Sequence, residues 1–287
     1  MSGFINSIRN KREDLRGSPI DPAIIALNRA RLWVMGKIFD TCYATLARFS
    51  RTATYRHNDI ILKYVVTSGV EFKRVRNRGQ EFTRTALETR LPKSGVFYDI
   101  GANIGIFTLP AAQIVGEEGR VVAFEAAPAN YNRLLENLEL NNLTNVTTFG
   151  LGLSSENTTA TLYRPTNRLG EGGHSLLNTG VPHGGVSTIL LARLDDLVEL
   201  WNLPTPDLVK IDVEGAEMDV LTGMSKLLDD PALTHIVCET KVAGPRIDPE
   251  LVTEFTITSY LGEHGFVEEM RSPAGSGEYY DIMFTRG

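Results

Sequence analysis

The sequence predicts an α/β fold built on a parallel sheet, and three observations carry that prediction. Short apolar runs that finish on or beside an acidic residue recur at 96–100, 121–125, 208–212 and 234–239. Helical patterns alternate with these runs, the order that lays strands parallel with right-handed crossovers. A glycine turn, Gly101-Ala102-Asn103-Ile104-Gly105, follows the first run where strand gives way to helix.

Taken in order, residues 1–18 read as a polar, basic arm. From Asp21-Pro22 to Phe49, apolar residues such as Leu27, Leu32, Ile38, Cys42 and Leu46 recur at helical spacing, with Arg29, Arg31, Lys37 and Arg48 among them. This stretch reads as helix packed on the core or on a second subunit, weighed against a basic amphipathic helix touching a membrane surface. Residues 60–66 and 70–76 read as paired strands around a turn at Ser68-Gly69. Arg74, Arg76 and Arg78 are there weighed as contacts for an anionic substrate against a solvated strand face. Residues 81–90 read as a short helix closed by Pro92 and Gly95. The core follows: strand 96–100, helix 104–115 with Pro110 set to kink or delay it, strand 121–125, helix 129–141 and strand 146–149. Strands at 158–163 and 187–191 flank two glycine-rich loops, a natural substrate lid. Helix 193–201, strand 208–212, helix 214–229, strand 234–239, helix 249–264 and strands at 265–267 and 279–284 complete the chain. The division expected is a basic arm and helix over 1–56, a β-hairpin and helix extension over 57–92, and the catalytic domain over 93–287.

The chain has 287 residues, room for one large domain and an appendage, and a net charge of −6 that weighs against a general nucleic-acid binder. Residues 1–90 carry 17 Lys+Arg against 8 Asp+Glu, so the basic charge is concentrated in the first third. Cys42 and Cys238 stand far apart without metal-ligand spacing and read as reduced core thiols of a cytoplasmic protein. No apolar leader and no membrane-length apolar run is visible.

The chemistry points to the rim where the strands end. The glycine turn reads G-x-x-x-G rather than the G-x-G-x-x-G of pyrophosphate-binding folds, with Asn103 where the close-approach glycine would stand. Asp99 is expected to present a negative charge to this pocket, repelling a pyrophosphate and attracting a cation; S-adenosylmethionine carries a sulfonium and an ammonium and no phosphate. Gly101, Asn103 and Gly105 would let the cofactor approach the backbone. Glu125 is placed to accept hydrogen bonds from ribose hydroxyls, weighed against an acid favouring the helix that begins after Pro128. The region 149–154 is expected beside the adenine. Asp212 is the first choice of general base for a hydroxyl acceptor and Glu214 the second. His174, in the lid, is a candidate substrate contact or proton acceptor. Asp212 with Glu239 is also open as the ligand pair of a magnesium ion, and Lys210 is read as a structural partner of one of these acids.

With these residues in view the chain resembles the FkbM family of S-adenosylmethionine-dependent methyltransferases. The resemblance rests on residues 99–105, on Ala123-Phe124-Glu125, on residues 136–142 and above all on Leu208-Val209-Lys210-Ile211-Asp212-Val213-Glu214-Gly215-Ala216-Glu217, and spans roughly residues 95–240. One departure is Ala126-Ala127 between Glu125 and Pro128, where the family has proline directly after the acid. The resemblance implies a Rossmann-like, seven-stranded, mostly parallel class I methyltransferase sheet with antiparallel final strands. It also implies O-methylation of a small-molecule, sugar, glycan or secondary-metabolite acceptor. An RNA methyltransferase, a nicotinamide-dependent oxidoreductase, a non-catalytic cofactor-binding module and a homo-oligomer remain alternatives to test.

Overall fold

The computed structural model describes residues 51–76, 81–164, 185–241, 254–272 and 279–287. The readings of an N-terminal arm and helix, of Cys42 and Arg78, and of the glycine loops with His174 lie outside the described residues.

Seven strands form the central sheet: β3 (Val96–Ile100), β4 (Arg120–Phe124), β5 (Val146–Phe149), β9 (Leu208–Ile211), β10 (His235–Lys241), β11 (Phe266–Arg271) and β12 (Tyr279–Arg286). Their spatial order is β11-β12-β10-β9-β3-β4-β5. The pairs β3–β4, β4–β5, β3–β9 and β9–β10 are parallel, and β12 runs antiparallel between β10 and β11. Helices α3 (Thr108–Val115), α4 (Pro128–Leu140), α5 (Leu194–Trp201), α6 (Glu217–Gly223), α7 (Ser225–Leu228) and α8 (Glu254–Glu263) connect or cover it. The central strands are apolar on both faces because helices cover both. Phe97, Tyr98, Ile100 and Phe124 are almost fully buried, and each such side chain contributes about 1.5–3 kcal/mol. A smaller three-stranded sheet of β6 (Gly152–Leu153), β8 (Gly185–Ala192) and β7 (Thr158–Arg164) carries the two strands read at 158–163 and 187–191.

The hairpin is displaced from the sequence expectation. It pairs β1 (Thr52–His57) with β2 (Ile60–Val65) across Asn58-Asp59, so it begins inside the stretch read as arm. Residues 70–76, read as its second strand, instead form helix α1 (Gly69–Arg76), followed by α2 (Glu81–Arg90). The cause is a capping box. The Glu71 amide donates to Ser68 Oγ at 3.2 Å, and the Ser68 amide donates to Glu71 Oε2 at 3.0 Å. A second correction concerns the helix read from residue 214: Glu214 and Gly215 have φ of 58° and 109°, which keeps them in a loop, and α6 starts at Glu217. Pro110 falls in the first turn of α3, where its missing N–H costs little, and the helix begins four residues later than read.

The hairpin is joined to the catalytic sheet through α4. Asn141 Oδ1 accepts the Lys63 amide at 2.8 Å and its Nδ2 donates to the Lys63 carbonyl at 2.6 Å. Asn137 Oδ1 accepts the Val65 amide at 2.7 Å. Two asparagines one helical turn apart thus stand in for a neighbouring strand along β2. Arg133 of α4 forms a buried ion pair with Glu71 and donates to the Val65 carbonyl at 3.1 Å. Cys238 is a buried free thiol. Among the described residues no helix is long and apolar enough to cross a membrane.

Candidate active site

The carboxyl ends of β3, β4 and β9 meet at a cavity that opens to solvent, lined among others by Gly101, Asn103, Glu125, Leu151, Asp212 and Glu214. Gly101 is required here: at φ 77°, a Cβ would lie 1.9 Å from the Asp212 carbonyl oxygen. The β3 turn therefore lies directly on the backbone that follows β9. Asn103, at φ 52°, donates its amide to Glu125 Oε2 at 2.7 Å, while its own Oδ1 accepts the Ile104 amide at 2.9 Å. The other Glu125 oxygen accepts the Ala127 amide at 2.8 Å. Burial pushes the Glu125 carboxyl up from its ordinary range, and these two N–H groups, with Lys210, pull it part of the way back. Each carboxylate oxygen retains a further lone pair for a ligand hydroxyl. The set fits an adenosyl cofactor: a fixed acceptor at one wall, small residues Gly101, Ala126 and Ala127 beside it, and apolar Leu151 and Leu153 opposite.

Two predicted cofactor residues do not line this cavity. Asp99 is fully buried on the other side of its strand; it accepts from Thr108 Oγ1 at 2.6 Å and pairs with Lys210 Nζ at 3.2 Å. The expectation that its charge faces the pocket is corrected: it lies one residue before the strand end, where pleat alternation turns it toward α3. Gly105, at φ 90°, makes room for packing, since a Cβ would meet Leu109 Cδ1 at 2.4 Å and Leu134 Cδ1 at 2.7 Å. Lys210 ties these parts together. Its Nζ donates to the Ile100 carbonyl at 3.2 Å and to the Gly101 carbonyl at 2.9 Å, and lies 3.6 Å from Asp212 Oδ2. Burial pulls the Lys210 ammonium down, but Asp99 and Asp212 more than offset it, leaving it above its ordinary value.

Asp212 faces two cavities. The second is lined by Thr83, Phe107, Lys210, Asp212, Val237, Glu239 and Asp281, among others. Register places Glu239 opposite Asp281, and Asp212 one residue beyond the Ile211–Cys238 pair, so three carboxylates form a row across β9, β10 and β12. Burial, then the charges of Asp212, Glu214 and Asp281, push Glu239 up to about 9. Burial and Asp212 push Asp281 up to about 6, with Lys210 opposing. Burial and the neighbouring carboxylates thus favour the protonated form of Glu239, which can donate a hydrogen bond to Asp212. A carboxylate held this way can accept a proton from a hydroxyl in the adjoining space.

Among the described residues no group of three or more His, Cys, Asp or Glu is placed to hold a metal ion. Sequence reading passed over Asp281 and Thr108. Asp281 lies on β12, far along the chain from the motif residues, and only strand register brings it to Glu239. Thr108 carries a signal in hindsight, a hydroxyl nine residues after a buried acid at a helix start.

The FkbM methyltransferase domain matches residues 99–268. The hexuronic acid methyltransferase AglP of Haloferax volcanii is 33% identical over 193 residues, covering 67% of this chain and 74% of that protein. Methyltransferase 1 of Beauveria bassiana is 32% identical over 149 residues, covering 46% of this chain and 59% of that one. A solved FkbM methyltransferase from Methylobacillus flagellatus is 17% identical, with 68% of this chain and 44% of that chain covered at a TM-score of 0.47.

Proposed function

This chain belongs to the FkbM family of S-adenosylmethionine-dependent methyltransferases, and on that premise we propose that it methylates a hydroxyl of a sugar or glycan acceptor. The observation that carries the proposal is the position of Asp212 between the cavity beside Glu125 and the carboxylate row. Bound in the first cavity, S-adenosylmethionine supplies an electrophilic methyl group. Glu125 accepts from the ribose hydroxyls, with Asn103 and Ala127 fixing its two oxygens. Gly101 and Asn103 shape the turn beneath, and Leu151 to Leu153 form the wall toward the adenine. Asp212 takes the hydroxyl proton as the acceptor attacks. Glu239 steadies Asp212 by donating to it, and Glu214 stands at the same rim as a second contact for the acceptor. A sugar acceptor agrees with the name of the Haloferax relative, a hexuronic acid methyltransferase. Presentation of hydroxyls to acceptor-rich carboxylates agrees with it as well.

The test is methyl transfer to a panel of hydroxylated sugars, uronic acids and oligosaccharides, by the wild-type chain and by Asp212→Asn. The variant loses about 10²–10⁴-fold in kcat with cofactor affinity retained. Equal turnover in the two proteins removes Asp212 as the base; transfer to none of these acceptors removes the sugar reading.

A further inference from the structure

A large groove lies outside the site above. It occupies about 670 Å³ on the hairpin side of the molecule and is lined by Thr54, Tyr55, Arg56, His57, Val75, Arg76, Glu81 and Arg84. A space of this size takes a sugar phosphate or a nucleotide. Arg56, Arg76 and Arg84 are among its lining residues, and among the described residues none of the three has a carboxylate within salt-bridge distance. His57 is engaged with Glu88 at 2.7 Å, which leaves Glu81 as the one acid on the groove wall.

Two of the arginines are held by aromatic rings. Arg84 lies over the Tyr55 ring at 5.2 Å and Arg76 over the Phe72 ring at 5.1 Å. Stacking on a ring face fixes the guanidinium plane and leaves its N–H edge for an oxyanion. The ring of Tyr55 lines the same groove, and its buried hydroxyl meets no hydrogen-bond partner among the described residues. Uncompensated positive charge in a concave surface concentrates anions, and the basic excess of residues 1–90 falls on this part of the chain. Helix α1 joins the groove to the active site: Arg74 lines the cofactor cavity and Arg76, two residues on, lines the groove.

We propose that this groove is an oxyanion-binding site that holds the phosphate of a phosphorylated sugar acceptor while another part of that acceptor reaches Asp212. The proposal rests on the sugar-methyltransferase reading above. A longer polyanion such as RNA is less well served, because the catalytic rim next to the groove is an acidic row.

Calorimetric titration of the full-length chain at low salt tests this, with inorganic pyrophosphate, S-adenosylhomocysteine and a short single-stranded oligoribonucleotide as separate probes. The variants are Arg56→Gln with Arg76→Gln, both on exposed side chains, and separately Arg84→Gln. Pyrophosphate is expected to bind, to weaken with added salt, and to bind roughly tenfold less tightly in each variant, with S-adenosylhomocysteine affinity unchanged. Absence of pyrophosphate binding in a chain that binds S-adenosylhomocysteine overturns the groove assignment alone. So does pyrophosphate affinity that neither variant changes. Oligoribonucleotide binding tighter than pyrophosphate and lost in the same variants overturns the sugar-phosphate ligand in favour of nucleic acid. Pyrophosphate binding without S-adenosylhomocysteine binding keeps the groove and removes the methyltransferase reading beneath it.

Discussion

Lys210 is the residue on which the geometry of the rim converges. Its ammonium, in a side chain 4% exposed, meets one buried carboxylate, the backbone carbonyls of Ile100 and Gly101 and the catalytic candidate Asp212. A lysine buried to this depth needs such partners, because desolvation alone would drive off its proton. Lys210→Met leaves Asp99 buried without its counter-charge, and the expected loss is about 3–5 kcal/mol of unfolding free energy. Denaturant unfolding of the variant checks this. Adding Asp99→Asn to the same chain recovers part of the loss; a double variant no more stable than the single one argues against the pairing. The sequence showed Lys210 as the partner of an acid. It did not show which acid, because the choice depends on which strands are neighbours. Asp99 was misplaced for a related reason: its position near a strand end and the helix that follows were legible, but which face of the strand that helix covers was not.

At the scale of elements, the alternation of strand and helix was legible because buried parallel strands write themselves as apolar runs with no polar interruption. The hairpin region was harder. Val70-Glu71-Phe72-Lys73-Arg74-Val75 alternates like a strand, yet Ser68 and Glu71 three residues apart form a capping box, and local hydrogen bonding overrode the period-two pattern. The Asn137 and Asn141 pair was visible only as part of a family resemblance; its physical reason is the edge of β2. Asn137 satisfies the Val65 amide with Oδ1 and the Ile104 carbonyl with Nδ2 at 2.8 Å. Asn137→Ala therefore leaves two backbone groups unmet, at about 1–3 kcal/mol each, and frees the hairpin before the sheet. Hydrogen exchange is expected to accelerate at Val65 while the central strands stay protected. Unchanged protection at Val65 contradicts the role given to α4.

At the scale of the whole molecule, charge is divided: a basic hairpin side and an acidic catalytic rim. The rim makes stability depend on pH. Glu239 holds its proton up to about 9, against an ordinary 4.5, so between these values the unfolded chain has released a proton that the folded chain keeps. Stability then falls as pH rises through that window, by up to about 1.4 kcal/mol per pH unit. Glu239→Gln removes this term. Its unfolding midpoint is expected above that of the wild type near pH 8, with the gap closing toward pH 5; a gap that does not narrow contradicts a protonated Glu239. The central claim is that an adenosyl cofactor sits beside Glu125 at the ends of β3 and β4. The most direct measurement is calorimetric titration of S-adenosylmethionine and, separately, NADH into the wild-type chain and into Glu125→Ala. The account predicts that S-adenosylmethionine binds the wild type and loses about tenfold or more in the variant, with no binding of NADH to either. Binding of NADH in place of S-adenosylmethionine, or an S-adenosylmethionine affinity that Glu125→Ala leaves untouched, would contradict it.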